Sequence, residues 1–182
     1  MGALLGPGVV PFEAIRESRK PVVASVNGLC MGGGLLITML SDLAIASDRA
    51  VFGAPELHRG VADTYHAAIL PEHVGIAVAR DMLFTGRRLS ASEAERYGLV
   101  ARVVAHDDLA DATERAVADL LQSAPRARRA LKRVINARYG AIDKLTFDES
   151  LAGDEMVEGF TAFVEKRSPS WVPEEYRRTG RL

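Results

Sequence analysis

The segment from Lys20 to Glu56 constrains the fold of this 182-residue chain more than any other part. Val22–Val26 is an apolar run rich in β-branched residues, which is typical of a strand buried on both faces. Asn27-Gly28 then marks a turn. The glycines Gly32–Gly34 lead into an apolar stretch that we predict to be helical to about Ser41. A strand that feeds a helix through a short glycine-rich connection predicts an α/β fold.

The remaining predicted elements divide the chain into an α/β part and a helical part. Ser90 and Glu93 have the spacing of a capping box for a short helix, and Gly98 follows as its stop. We therefore predict an α/β core at residues 1–105 and a helical C-terminal oligomerisation region at residues 106–182. After the glycines we predict, in order, strands at 42–46 and 50–53, a helical stretch at 65–84 interrupted near Pro71 and Gly75, a helix at 91–97, a strand at 99–104, and helices at 108–123, 125–139 and 142–166.

The composition argues against several classes of function. The chain has 23 basic and 24 acidic residues, and this balance does not favour nucleic acid or an anionic membrane as a partner. Its one cysteine, Cys30, can form no disulfide within the chain, which fits a reducing compartment. The apolar stretch Leu29–Leu40 is too short to span a membrane, and residues 1–10 lack the basic region of a signal peptide. We expect a cytoplasmic protein without a membrane span.

The start of the helix after the glycines is suited to stabilising negative charge. Glycine lacks a Cβ atom, so backbone N–H groups there can approach a ligand closely. The first N–H groups of a helix have no partner within it, and they lie at the positive end of the helix dipole. These properties together predict a site for an oxyanion. About twenty residues later, Glu56 adds a carboxylate after a predicted strand.

Five segments resemble the crotonase (enoyl-CoA hydratase/isomerase) family, and they occur in the same order as in that family: KPVVASVNGLCMGGG, SDLAIAS, FGAPE, LFTGRRLSASEAERYGLVARVV and EGFTAFVEKRSPSW. The resemblance covers nearly the whole chain from Ser18 on. It implies the ClpP/crotonase fold, a spiral of β-β-α units followed by helices that assemble homotrimers or hexamers. It also implies an acyl-CoA substrate and an enzyme of fatty acid metabolism, an isomerase or a hydratase. Family members carry further strands before the position of residue 1, so we expect this chain to lack them, together with one of the two oxyanion donors.

The resemblance assigns roles to two residues and raises a question about a third. Gly33 matches the second oxyanion donor, although a glycine can also serve a tight strand-to-helix turn alone. Glu56 matches one of the two catalytic carboxylates of the family, the alternative being a surface or helix-start glutamate. The other carboxylate would fall at Leu36, where it is absent. Hydration uses two groups, one to orient water and one to supply a proton, whereas isomerisation needs one. We therefore expect an isomerase-like site with a single glutamate.

The chain departs from the family pattern again after Glu56. Asp63 and His66 stand where relatives have a glycine-rich helix start, and they could reshape the acyl pocket or add a titrating group. The alternative for Asp63 is a helix cap. We expect no metal site, because His58, His66 and His73 lack the spacing of a helical metal pair. No cofactor is expected, since coenzyme A is part of the substrate.

The C-terminal region matches the family at two further positions. Phe163 and Lys166 lie three residues apart in a predicted helix, where family trimers contact the CoA of a neighbouring subunit. A packing aromatic and a solvated lysine are the alternative. A basic cluster in the preceding helix is expected to be a solvated face, although its charge could attract CoA phosphates. The cluster consists of Arg126, Arg128, Arg129, Lys132 and Arg133.

A second function class stays open at this point. The absence of the family's N-terminal strands and the leucine at position 36 both agree with a non-catalytic CoA-binding or oligomerisation remnant of a crotonase. Enolate chemistry on an acyl-CoA is the preferred hypothesis.

Overall fold

The fold was obtained as a computed structural model that describes residues 12–140 and 142–177. Short strands alternate with helices in the first half of this region, and helices follow in the second half. In chain order the elements are α1 (Phe12–Glu17), β1 (Val23–Val26), β2 (Leu29–Met31), α2 (Gly33–Leu40), β3 (Leu43–Ser47), β4 (Val51–Gly53), a 3₁₀ turn (Glu56–Arg59), α3 (Thr64–Val74), α4 (Ile76–Thr85), β5 (Leu89–Ser90), α5 (Ala91–Tyr97), β6 (Arg102–Val104), a 3₁₀ turn (His106–Asp108), α6 (Leu109–Leu121), α7 (Pro125–Asn136), α8 (Lys144–Leu151), α9 (Asp154–Glu165) and a 3₁₀ turn (Glu174–Tyr176).

The strands form two three-stranded sheets that the chain enters in alternation. The first sheet has the order β1-β3-β6 with parallel neighbours, and Val26 pairs with Ala46. The second has the order β2-β4-β5, in which β2 and β4 are parallel and β5 runs antiparallel to β4. Thus β1 and β2 lead into α2, and β3 and β4 lead into the 3₁₀ turn and α3. This is the β-β-α repeat that the family resemblance implies.

Helix α2 lies at the centre of the larger hydrophobic core. Its residues Leu35, Leu36 and Met39 are almost completely buried, and they share the core with Phe52 of β4 and Leu70 of α3. A smaller cluster joins Ile45 of β3 to the buried face of α6. The first sheet is therefore covered by helices, as parallel sheets usually are.

The strands predicted at 22–26, 42–46 and 50–53 and the helix predicted at 91–97 are confirmed within one residue. The strand predicted at 99–104 is shorter, because β6 begins only at Arg102, and the short strand β5 was not predicted. The strand β2 was not predicted, because Leu29–Met31 merges in sequence with the apolar helix that follows it. Helix α3 continues through Pro71 and ends only at Gly75, so the predicted interruption near Pro71 is wrong. The helix retains its path because the neighbouring Ile69 and Leu70 are fully buried, and their packing outweighs the loss of one backbone hydrogen bond.

The predicted single helix at 142–166 is wrong, because the chain forms two helices there. Gly153 adopts an extended conformation between α8 and α9. Helix α9 ends at Glu165, and Lys166 follows in the left-handed region with φ 56. Phe163 and Lys166 therefore do not share a helical face. No helix within residues 12–140 and 142–177 combines the length and apolarity that crossing a membrane would require.

Lys132 of α7 ties the helical region to the start of the core. Its side chain is 4% exposed, and Nζ donates to Asp42 Oδ2 at 2.7 Å and to the Ile15 carbonyl at 2.9 Å. Nζ also contacts the Lys20 carbonyl at 3.3 Å. The expectation that the whole basic cluster of α7 is solvated is therefore wrong for this residue. A buried ammonium is tolerated here because its donors are satisfied by a carboxylate and by carbonyls.

Helix α9 crosses the 3₁₀ turn of Glu56 at two glycines. A Cβ atom at Gly159 would overlap the backbone of Arg59, and one at Gly60 would overlap the backbone of Glu155. Arg59 also lies over the Phe163 ring, 4.0 Å from its centroid. The C-terminal helix therefore contacts the carboxylate-bearing turn of its own chain at backbone distance.

We expect Lys132→Met to lower the free energy of unfolding by about 2–3 kcal/mol, because the substitution leaves the partly exposed Asp42 carboxylate and two backbone carbonyls without their buried donor. Urea denaturation of the two proteins measures this difference. The matched control is Arg133→Met, at an exposed position of the same helix, which should change stability by less than about 0.5 kcal/mol. Equal stability of Lys132→Met and the parent chain would contradict the assignment.

We expect Gly159→Ala to destabilise the chain by about 1–3 kcal/mol, since the added methyl group meets backbone atoms that cannot move aside. Thermal or urea unfolding gives the value. Gly140→Ala is the control, because a Cβ atom there has open space. If Gly159→Ala unfolds like the parent chain and the control, α9 and the turn do not cross at backbone distance.

Candidate active site

Glu56 is the first residue of the 3₁₀ turn that follows β4, and its carboxylate points back to the start of α2. A Cβ atom at Gly32 would overlap Glu56 Oε1, so the carboxylate lies directly against the Gly32 backbone. Gly32 has φ 54, a conformation that favours glycine. The Gly32 N–H donates to the Gly53 carbonyl at 3.0 Å, which ties the end of β2 to the end of β4. Gly32 is thus the position at which this connection requires glycine, and the role of Gly33 as an oxyanion donor stays a prediction.

Gly33 begins helix α2, with Gly32 as the residue before its first turn. The N–H of a first helical residue has no acceptor within the helix. Gly33 is exposed, and the Phe12 ring of α1 lies beside it, 3.3 Å from where a Cβ atom of Gly33 would be. Gly33 is bonded to the residue that touches the Glu56 carboxylate, so the structure brings the two predicted catalytic positions into one place.

The Glu56 carboxylate is partly buried and incompletely paired. Its Oε2 atom is buried and has no hydrogen-bond partner among the residues that the structure describes. Burial raises the pKa of Glu56 above its ordinary value, although the nearby charges of His66 and Arg59 oppose the rise. A glutamate whose pKa is raised by burial is a stronger base once ionised, which suits proton transfer.

Asp63 both caps helix α3 and holds the His66 side chain. Its Oδ1 accepts the His66 backbone N–H at 3.0 Å, so the predicted cap is confirmed. Its Oδ2 lies 2.7 Å from His66 Nδ1. The His66 side chain is fully buried, and its Nε2 makes no hydrogen bond with any residue in the described ranges. Residues 63 and 66 therefore form a fixed pair with one free ring nitrogen.

The charges of this cluster shift one another's pKa values. Burial alone would lower the pKa of His66, but the hydrogen bond and charge of Asp63, the charge of Glu56 and the nearby Gly32 carbonyl together raise it above 6.5. For Asp63, burial acts to raise the pKa, and the contacts with His66 outweigh it and lower the pKa. The contact between the two residues therefore favours the protonated form of His66 and the ionised form of Asp63.

Glu56, Asp63 and His66 each offer one potential ligand atom within 4.8 Å of the other two, a spacing that would suit a metal ion. However, both Asp63 oxygens already accept hydrogen bonds from His66. The expected absence of a metal site stays a prediction.

A cavity of about 610 Å³ opens beside the Glu56 turn. Arg59 and Arg88 supply positive charge to its wall, and Trp171 from the C-terminal segment closes one side. The strand end before Glu56 also contributes, through Gly53, Ala54 and Pro55. Glu56, Gly33 and His66 are not among the residues that line it, so this cavity adjoins the carboxylate-bearing turn without containing the predicted catalytic positions.

The other predicted site residues lie in different surroundings. Leu36 is 2% exposed and belongs to the core, so its contact with an acyl chain remains a prediction. Phe163 is half-exposed beneath Arg59, and Lys166 lies beyond the end of α9; their contact with CoA also remains a prediction. Arg126, Arg129 and Arg133 of α7 line a separate groove with α1, of about 820 Å³, which also contains Glu13 and Glu17.

The chain matches known proteins over most of its length. Residues 9–174 match the family model described as enoyl-CoA hydratase/isomerase. The chain is 36% identical over 180 residues to a carnitinyl-CoA dehydratase of Proteus mirabilis, covering 90% of this chain and 67% of that protein. It is 37% identical over 182 residues to the mevalonyl-coenzyme A hydratase sidH of Aspergillus fumigatus, covering 93% of this chain and 66% of that protein. The chain thus spans about two-thirds of the length of these curated relatives.

Solved structures agree with the sequence matches. An enoyl-CoA hydratase/isomerase from Pseudoalteromonas atlantica T6c superposes with a TM-score of 0.82 at 33% identity, covering 93% of this chain and 73% of that one. A carnitinyl-CoA hydratase from Mycobacterium avium gives a TM-score of 0.74 at 35% identity, covering 84% and 63%. The fold, the order of the motifs and these matches together establish that the chain belongs to the enoyl-CoA hydratase/isomerase family, with the crotonase fold.

Proposed function

We propose that this chain acts on acyl-CoA thioesters through an enolate, with Glu56 as the group that moves the proton. The observation that carries the proposal is the buried, unpaired Glu56 oxygen beside the glycine-rich start of α2. The CoA thioesters in the names of the relatives support the substrate class. Proton transfer and charge stabilisation are sufficient for this chemistry, so the proposal includes no cofactor besides the CoA of the substrate.

The reaction begins when the ionised Glu56 removes a proton from the carbon next to the thioester carbonyl. The electron pair of the broken C–H bond moves onto the carbonyl oxygen, which becomes an enolate. The Gly33 N–H, at the positive end of α2, donates a hydrogen bond to that oxygen. The proton on Glu56 then returns to the substrate, either to the same carbon or to another carbon within reach.

Isomerisation of a 3-enoyl-CoA to a 2-enoyl-CoA is our first choice of reaction. Glu56 would remove the proton from C2 and return it at C4, so one carboxylate is enough. The buried leucine at position 36 supports this choice, because it removes the other carboxylate of the family pattern. A non-catalytic remnant is the less favoured alternative, because the unpaired glutamate and its neighbouring histidine resemble a working site.

Addition or removal of water is the second candidate. The relatives named as a dehydratase and as hydratases support it. It requires a second group that exchanges a proton with oxygen, and the Asp63–His66 pair beside Glu56 is the candidate for that role.

The assembly and location are also proposals. Family resemblance supports a homotrimer or hexamer in the cytoplasm, in which Phe163 and Lys166 would contact CoA and Leu36, Asp63 and His66 would shape the acyl pocket.

We expect Glu56→Gln to lower proton exchange by at least about 100-fold, because glutamine cannot accept the proton. The measurement is deuterium incorporation at C2 of butyryl-CoA in D₂O, followed by mass spectrometry, together with conversion of 3-enoyl-CoA. Glu72→Gln, at a solvent-exposed pair with Arg138, is the control and should exchange like the parent chain. Undiminished exchange in Glu56→Gln would remove this residue from the mechanism.

We expect Gly33→Pro to lower the turnover of 3-enoyl-CoA by about 100- to 1,000-fold, because it removes one oxyanion donor. Proline is tolerated at the first position of a helix, so circular dichroism should report an intact fold. Gly33→Ala is the control, since it retains the N–H and requires only a small shift of the Phe12 ring. Equal losses in both variants would indicate a steric effect and would contradict the role of the N–H.

A further inference from the structure

His66 is a buried titratable group that the enolate step does not use. Its side chain has no exposed surface, and Asp63 fixes both its backbone N–H and its Nδ1. Because Asp63 accepts from Nδ1, the ring carries its Nδ1 proton and presents Nε2 outward from the pair. Nε2 makes no hydrogen bond of ordinary geometry with residues 12–140 and 142–177, although the Gly32 carbonyl lies close enough to act on the ring. Buried polar groups in folded proteins are nearly always paired, so an unpaired one suggests a missing ligand.

Glu56 presents the complementary feature. Its Oε2 is also buried and without a partner in the described part of the chain. One side-chain atom each of Glu56, Asp63 and His66 lies within 4.8 Å of the other two. A single oxygen atom at ordinary hydrogen-bond distance from both Glu56 and the ring can bridge a gap of this size. A water molecule or the hydroxyl group of a substrate has the required donors and acceptors.

We propose that His66, held by Asp63, is a further catalytic residue that gives a proton to, or takes one from, the oxygen of a 3-hydroxyacyl-CoA. This inference rests on the proposed function, because it uses the same thioester and the same Glu56. His66 would replace the carboxylate that the family pattern has at position 36. The consequence is a site that also adds water to a 2-enoyl-CoA or removes it from a 3-hydroxyacyl-CoA.

In the dehydration step, Glu56 accepts one proton from the substrate and His66 donates one to it. Glu56 removes the proton from C2, and the C2–C3 double bond forms as the C3–O bond breaks. The departing oxygen takes the Nε2 proton of His66 and leaves as water. Glu56 is then protonated and His66 neutral, and one proton passes from Glu56 to His66 through a water molecule to restore the starting state. The reverse sequence adds water.

The groups around the ring support the protonated form that this step needs. Asp63 from the helix cap and Glu56 from the 3₁₀ turn are the charged groups that act on His66, together with the Gly32 carbonyl at the start of α2, and they raise the pKa of His66 despite its burial. Arg59 acts on Glu56, and Arg88 acts on Arg59. Dehydration should therefore increase as pH rises through the pKa of Glu56, above 4.5, and decrease as pH rises through the pKa of His66, above 6.5.

The test compares His66→Asn with His66→Gln. The asparagine amide can donate to Asp63 as Nδ1 does, but it has no group at the Nε2 position. Glutamine reaches that position but cannot titrate. We expect His66→Asn to lower hydration of a 2-enoyl-CoA by about 100-fold and to change deuterium exchange at C2 by less than about threefold. In His66→Gln the decrease of rate at high pH should disappear. Unchanged hydration, or equal losses of hydration and exchange, would overturn the proposal.

A second measurement separates this inference from the proposed function. If deuterium exchange is absent or insensitive to Glu56→Gln, the proposed function fails. The role of His66 is then decided by ¹⁵N NMR of its imidazole. Both Glu56→Gln and Asp63→Asn should lower its pKa, and 3-hydroxybutyryl-CoA should shift the Nε2 signal. A pKa below 6.5, or an Nε2 signal that this thioester leaves unchanged, would overturn the inference.

Discussion

The contact between the Glu56 carboxylate and the Gly32 backbone determines how the rest of the site is arranged. Gly32 joins β2 to α2, and Glu56 follows β4, so the pairing of β2 with β4 places the two residues side by side. The hydrogen bond from Gly32 to Gly53 fixes the separation of the strand ends. Any side chain at position 32 would occupy the space of the carboxylate. The proposed proton acceptor and the proposed oxyanion donor are thus held together by sheet register.

The acidic groups and the histidine around this contact depend on one another electrostatically. Burial disfavours charge on Glu56 and on His66 when each is considered alone. The hydrogen bond and charge of Asp63 raise the pKa of His66 despite its burial, and the charge of His66 in turn acts to lower the pKa of Glu56. A buried charge is less costly beside an opposite charge than alone, and Asp63 and His66 provide this for each other. The residues that depart from the family pattern after Glu56 therefore shift the pKa values within this cluster.

Local signals in the sequence predicted the elements that depend on local chemistry. Ser90 and Glu93 form the capping box, and Gly98 ends α5 in the left-handed conformation, because these features involve only neighbouring residues. The partnership of Asp63 with the His66 ring was not predicted, although a carboxylate three residues before a histidine on one helix is a signal that could have found it. Features that depend on distant residues were missed. Gly32 needs its conformation because of a residue on another strand, and Lys132 is buried by carbonyls from α1 and its following loop.

The crossing of α9 over the 3₁₀ turn also limits how the C-terminal helix can dock. Only a glycine fits at position 159 against Arg59, and the next residue along the helix in either direction, Glu158 or Phe160, is much larger. Sliding the helix by one residue would force a bulky side chain into backbone atoms next to Glu56. The two glycines therefore fix the register in which helix α9 packs against the turn. Substitutions in α9, far along the sequence, would displace the 3₁₀ turn that carries Glu56 without altering any charge.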